Sequence, residues 1–121
     1  MKKILAVDDD PMTLKLLGQH LSDAGYQVLT ADNGREAFVK AREEHPDLIL
    51  LDITMPGMDG GQTAQELKKD PLTKTIPVIF LTGILSSEEE LSSGGVIGGN
   101  VFIAKPYDRQ KLLGTIRKHL G

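Results

Sequence analysis

In Leu48-Ile49-Leu50-Leu51-Asp52, four consecutive large aliphatic side chains end on a carboxylate. A strand with one wet face alternates apolar and polar residues, whereas an unbroken apolar run of this length reads as a strand buried on both faces, the habit of parallel sheets. His45-Pro46-Asp47 turns the chain into the run. Acidic residues at strand ends commonly cap the next helix, but an aspartate that closes so apolar a strand asks for a further explanation.

Outward from this run, four more short segments read as strands: Lys3–Val7, Gln27–Ala31, Pro77–Leu81 and Val101–Ala104. Segments of helical period lie between them. The first starts at Pro11 with Asp10 as N-cap, places Leu14, Leu17 and Leu21 on one stripe, and stops at Gly25. The second opens with Asn33 and Glu36 in a loose capping box and buries Ala37, Phe38 and Ala41. A third runs from about Gly61 to Lys69 and yields at Asp70-Pro71. The fourth, around Ser87–Ser93, has Leu91 as its only large apolar residue, and the fifth, Asp108–His119, has Leu112, Leu113, Ile116 and Leu120 as its apolar side. Five βα units predict an α/β fold, a doubly wound parallel sheet of five strands with five helices on its two faces. The expected strand order is the flavodoxin-like 2-1-3-4-5, in one domain spanning residues 1–121.

Composition narrows the function. Hydrophobic residues make up 40% and charged residues 26% of the 121, a globular balance. The net charge of −3 comes with no basic block, which argues against direct nucleic-acid binding. The absence of cysteine excludes a disulfide framework, a thiolate zinc site and a cysteine nucleophile. Ile4-Leu5-Ala6-Val7 is too short for a secretory signal, and Ile76 to Leu85 is too short to insert in a membrane. The expectation is a cytoplasmic protein.

In open α/β sheets, functional groups gather at the carboxyl ends of the strands. Those ends carry Asp8-Asp9-Asp10, Asp52, Thr82 and Lys105, and nothing comparable follows the second strand. Asp8, Asp9 and Asp52 would repel one another unless a cation joined them, and an all-oxygen carboxylate set favours a hard ion such as Mg²⁺. Lys105 adds a point charge and Thr82 a hydroxyl, both suited to a phosphoryl group, and one carboxylate could act as nucleophile to give an acyl phosphate. Singly, each residue has a plainer reading: Asp10 before Pro11 is a helix cap, and a lone Lys-Pro or Leu-Thr pair carries no information. Their conjunction at four strand ends is what points to chemistry. His20, His45 and His119 share no ligand spacing, and the glycines at 94, 95, 98 and 99 precede a strand and so cannot cradle a phosphate at a helix start.

With these residues in place, the chain resembles the receiver domains of two-component response regulators. The matching pieces are Val7-Asp8-Asp9-Asp10, Leu51-Asp52-Ile53-Thr54-Met55-Pro56-Gly57-Met58-Asp59-Gly60, Leu81-Thr82-Gly83 and Ala104-Lys105-Pro106-Tyr107. The resemblance implies that Asp52 accepts a phosphoryl group from a histidine kinase or phosphotransfer protein. It implies Mg²⁺ bound by Asp9, Asp52 and the backbone carbonyl of Thr54, with Asp8 acting through water. Thr82 and Lys105 would hold phosphoryl oxygens, and Lys105-Pro106 would be a cis peptide. Phe102 falls at the aromatic switch position, with plain strand packing as its other reading. The output would pass to a downstream protein or output domain through the segment Ser86–Asn100, and the protein would be a switch that promotes its own phosphorylation and dephosphorylation, not an enzyme. Gly99 and Asn100 depart from the acidic residues often found just before strand five in receivers that dimerise through the fourth helix, fifth strand and fifth helix.

Three rival readings fit these residues less well. A haloacid-dehalogenase-type phosphatase needs a second aspartate two residues after the first, and Thr54 stands there. A flavodoxin-like electron carrier would want a Ser/Thr-rich loop where Asp8-Asp9-Asp10 stands. A degenerate receiver, binding partners without phosphorylation, would have no use for the full set of core residues.

Overall fold

The structure, a computed structural model, describes residues 2–52, 60–82, 96–97, 100–104 and 109–120. Its elements run β1 (Lys3–Val7), α1 (Pro11–Asp23), β2 (Gln27–Ala31), α2 (Gly34–Glu44), β3 (Leu48–Asp52), α3 (Gly60–Lys69), β4 (Val78–Thr82), β5 (Val96–Ile97), β6 (Asn100–Ala104) and α4 (Arg109–Leu120). The sheet order is β2-β1-β3-β4-β6-β5. β1, β2, β3, β4 and β6 pair in parallel, and β5 returns antiparallel to β6. The fold is thus the expected flavodoxin-like α/β type, with one correction: the sheet has six described strands, not five. Four helices are described, and the helix expected over Ser87–Ser93 lies outside the described residues.

The apolar runs are unbroken because each strand feeds two cores. Successive side chains point to opposite faces. Ile4, Ala6, Leu48, Leu50, Ile79, Leu81 and Ile103 pack under α1 and α4, against Leu17, Leu21, Leu112 and Ile116. Leu5, Val7, Ile49, Leu51 and Phe80 pack on the other face under α2 and α3, against Ala37, Ala41, Ala64 and Leu67. Leu48, Ile49, Leu50 and Leu51 are all fully buried, so no position in β3 is available to a polar residue until Asp52.

Local signals set the helix ends. Asp10 caps α1: its carboxylate accepts from the backbone N–H of Met12 at 3.1 Å and from the Thr13 hydroxyl at 2.7 Å. At the other end Gly25, at φ 95°, closes a Schellman motif in which Tyr26 N–H donates to the Leu21 carbonyl at 3.1 Å and Gly25 N–H to that of Ser22 at 3.0 Å. Asn33 caps α2 by accepting from Glu36 N–H at 2.8 Å. An Asp10→Ala change should lower the unfolding free energy by about 0.5–2 kcal/mol, the usual cost of a lost cap. Urea denaturation checks this, and an unchanged midpoint would mean that the cap does not hold the helix.

Candidate functional site

β1 and β3 are neighbours in parallel register, with Val7 opposite Leu51, so the residues that follow, Asp8 and Asp52, emerge side by side at the carboxyl end of the sheet. Carboxylate oxygens of Asp8, Asp9 and Asp52 all lie within 4.8 Å of one another. Asp8 is 2% and Asp52 5% exposed, while Asp9 faces solvent. Asp8 continues the ladder, donating its N–H to the Ala31 carbonyl at 3.2 Å, and its Oδ1 accepts from the backbone N–H of Asp10 at 3.0 Å. Asp10 itself is committed to capping α1, as its plainer reading has it.

The electrostatic consequence is direct. Two carboxylate charges at about 4.8 Å repel by on the order of 3 kcal/mol at an effective dielectric near 20, and a third raises the cost. A hard cation reverses that balance, and a set of carboxylate oxygens with one member open to solvent is chemically suited to Mg²⁺, which keeps several of its waters. Three of the expected ligand side chains are therefore brought together; the backbone carbonyl of Thr54 lies outside the described residues.

Thr82 ends β4, one residue past the Leu81 that pairs with Asp52, and stands opposite Ala104 on β6. Its backbone thus sits at the same end of the sheet as the carboxylates. Phe102 pairs with Phe80 across β6 and β4. Lys105, with the Lys105-Pro106 peptide, lies outside the described residues, as does Ile84.

The surroundings of the cluster include a further carboxylate. Asp32 follows β2, and with Thr30 and Glu36 it lines a small cavity that also includes Asp9. The second strand therefore does contribute an acidic wall beside the cluster, contrary to the expectation that nothing comparable follows it. The signal in the sequence was Asp32 itself, but only the pairing of β1 with β2, Val7 opposite Ala31, places it there.

Known proteins resemble this chain in both sequence and fold. The family described as response regulator receiver domain matches residues 4–117. The chain is 41% identical to protein PilH of Pseudomonas aeruginosa over 121 residues, covering 100% of this chain and 99% of that protein. Against the probable transcriptional regulator ycf27 of Porphyra purpurea it is 37% identical and spans 47% of the relative's length. The fold superposes on the chemotaxis response regulator CheY4 of Vibrio cholerae with a TM-score of 0.84, at 34% identity and 98% coverage of both chains. It also matches the receiver domain of sensor histidine kinase PA1611 from Pseudomonas aeruginosa, with a TM-score of 0.85, 28% identity, and 99% and 98% coverage. In that structure a magnesium ion is coordinated in the active site cleft. The chain belongs to the response regulator receiver domain family.

Proposed function

We propose that this receiver domain is a phosphoacceptor switch, with Asp52 as the residue modified. The observation that carries the reading is the cluster of Asp8, Asp9 and Asp52 at the ends of β1 and β3. Asp9, Asp52 and the Thr54 carbonyl would hold Mg²⁺, with Asp8 acting through water. When bound, the ion supplies charge neutralisation between the carboxylates and the incoming phosphoryl oxygens.

An oxygen of the Asp52 carboxylate attacks the phosphorus of a phosphohistidine on a histidine kinase or phosphotransfer protein. The P–O bond to Asp52 forms as the P–N bond to the imidazole breaks, and the imidazole nitrogen keeps the electron pair. Burial of Asp52 among β1, β3 and β4 fixes its carboxylate in direction, which favours attack by lowering the entropy still to be lost. By the family resemblance, Thr82 and Lys105 hold phosphoryl oxygens, and Thr82 and Phe102 relay the change to a downstream protein or output domain. The protein does not turn over a substrate; it promotes its own phosphorylation and dephosphorylation, in the cytoplasm. Receivers that work without phosphorylation have no need of three converging carboxylates, which is why that alternative is set aside.

Loading with acetyl phosphate and Mg²⁺, read by intact mass, tests the proposal. One added phosphoryl group is expected, and none would refute it.

The lifetime of the acyl phosphate follows from two neighbours. By resemblance, the side chains two residues after Asp52 and after Thr82 flank the attacking water, and here they are Thr54 and Ile84. Neither carries a charge or a carboxamide to orient water strongly, and by the same resemblance Ile84 would shield the bond. A Thr54→Asn, Ile84→Glu double variant should lose its phosphate about tenfold faster or more, still short of the roughly 10²-fold or larger effect of a well-placed general base. A decay slower than the parent's would contradict this.

A further inference from the structure

Two shallow cavities on the outer face of α2 and α3 share Phe38 and Val39 and join into one trough. Arg35 and Glu66 line one part of it, and Arg42, Glu43 and Leu72 the other. Val39 and Leu72 are apolar yet 42% and 51% exposed. Arg35, Val39 and Glu43 are spaced four apart along α2, so they form a single stripe about 12 Å long down the helix, with an apolar centre, a cation at one end and an anion at the other.

The charges of this stripe run against the helix that carries them. Helix N-termini favour anions and C-termini cations, whereas Arg35 is in the first turn of α2 and Glu43 in the last. Neighbouring charges are matched inside the molecule: Glu36 pairs with Lys40 at 2.9 Å, and Arg42 with Asp70 at 3.0 Å while lying over the Phe38 ring. Among the described residues, no ion pair includes Arg35 or Glu43. An occupant lying along the α2 stripe should therefore bring an anion to Arg35, a cation to Glu43 and an apolar group between them.

A second copy of the same stripe, turned end for end, has that pattern. We propose that this face is a self-association surface, in which α2 of one protomer packs antiparallel on α2 of another about a two-fold axis through Val39. Arg35 of each protomer then meets Glu43 of its mate, and each helix end receives the sign of charge its dipole favours. A shallow crossing, near the roughly 20° common for packed helices, keeps both ends in register. One helix pair with Leu72 at its edge is a small interface, at the weak and transient end of the size range. The inference does not depend on Asp52 being the phosphoacceptor, and it is tested on unmodified protein without Mg²⁺.

Sedimentation equilibrium from the micromolar to the millimolar range reads the outcome. The parent should move toward twice the monomer mass as concentration rises. Arg35→Glu and Glu43→Arg should each weaken association at least tenfold, because each sets like charges against each other at both ends. An equimolar mixture of the two variants should associate at least as tightly as the parent, since both contacts are then complementary again. Each reversal agrees with the dipole of α2, so the single variants should melt no lower than the parent. Three results would each overturn the proposal: a parent that stays monomeric throughout, which would assign the trough to some other partner; single variants that associate like the parent; or a mixture no tighter than its components.

Discussion

Asp52→Asn is expected to take up no phosphoryl group from acetyl phosphate and Mg²⁺, where the unaltered protein takes up one. The substitution keeps the shape of the side chain and removes the nucleophilic carboxylate. Asp52 is 5% exposed and belongs to the ladder of β3, opposite Leu81, in a strand that lies between β1 and β4, so the backbone that positions it should survive the change. Removing one of three carboxylates within 4.8 Å also relieves repulsion, so without Mg²⁺ the variant should be at least as stable as the parent. A loss of labelling in a protein that melts normally therefore speaks to chemistry and not to folding. Equal labelling of both proteins would remove Asp52 from its assigned role.

Asp9→Ala is expected to weaken Mg²⁺ binding about tenfold to a hundredfold or more. Changes to groups that merely support metal ligands already cost that much, and Asp9 is expected to touch the ion. Asp9 faces solvent and makes no part of either core, so its removal should leave the fold intact. Isothermal titration gives the affinity directly. Phosphorylation of the unaltered protein should stop when EDTA removes the ion, and labelling that EDTA does not touch would show the metal argument to be wrong.

The sequence carried much of this because burial on two faces leaves a plain mark. Leu48 to Leu51 had to be apolar throughout, and Asp52 stood out because nothing in a doubly covered strand explains it. Caps at Asp10 and Asn33 were equally legible, since they depend on neighbours a few residues away. Features that depend on pairing were harder. The apolar pattern puts Pro77 in the fourth strand, but β4 starts at Val78: proline has no N–H to give the ladder, and only its carbonyl takes part, accepting from Ile49 N–H at 3.0 Å. β5 is two residues, Val96 and Ile97, set between pairs of glycines, too short for any periodicity to show. It becomes a strand by lying against β6, and the same pairing, Ile97 with Asn100, starts β6 a residue earlier than its apolar run suggested. His45 caps α2 in the left-handed region at φ 49°, which a rule favouring glycine there would not have chosen. The carboxylates at the site were visible one by one, but the register of β1 with β3 is what makes them a cluster.

The central claim is that the acyl phosphate forms at one residue, and borohydride trapping reads that residue directly. The protein is loaded with acetyl phosphate and Mg²⁺, reduced with borohydride, digested and sequenced by mass spectrometry, so that the phosphorylated aspartate is recovered as homoserine. Homoserine at position 52 alone is the predicted result. Homoserine at position 8 or 9 in its place, or at no position in a protein shown by intact mass to carry the phosphoryl group, would contradict it.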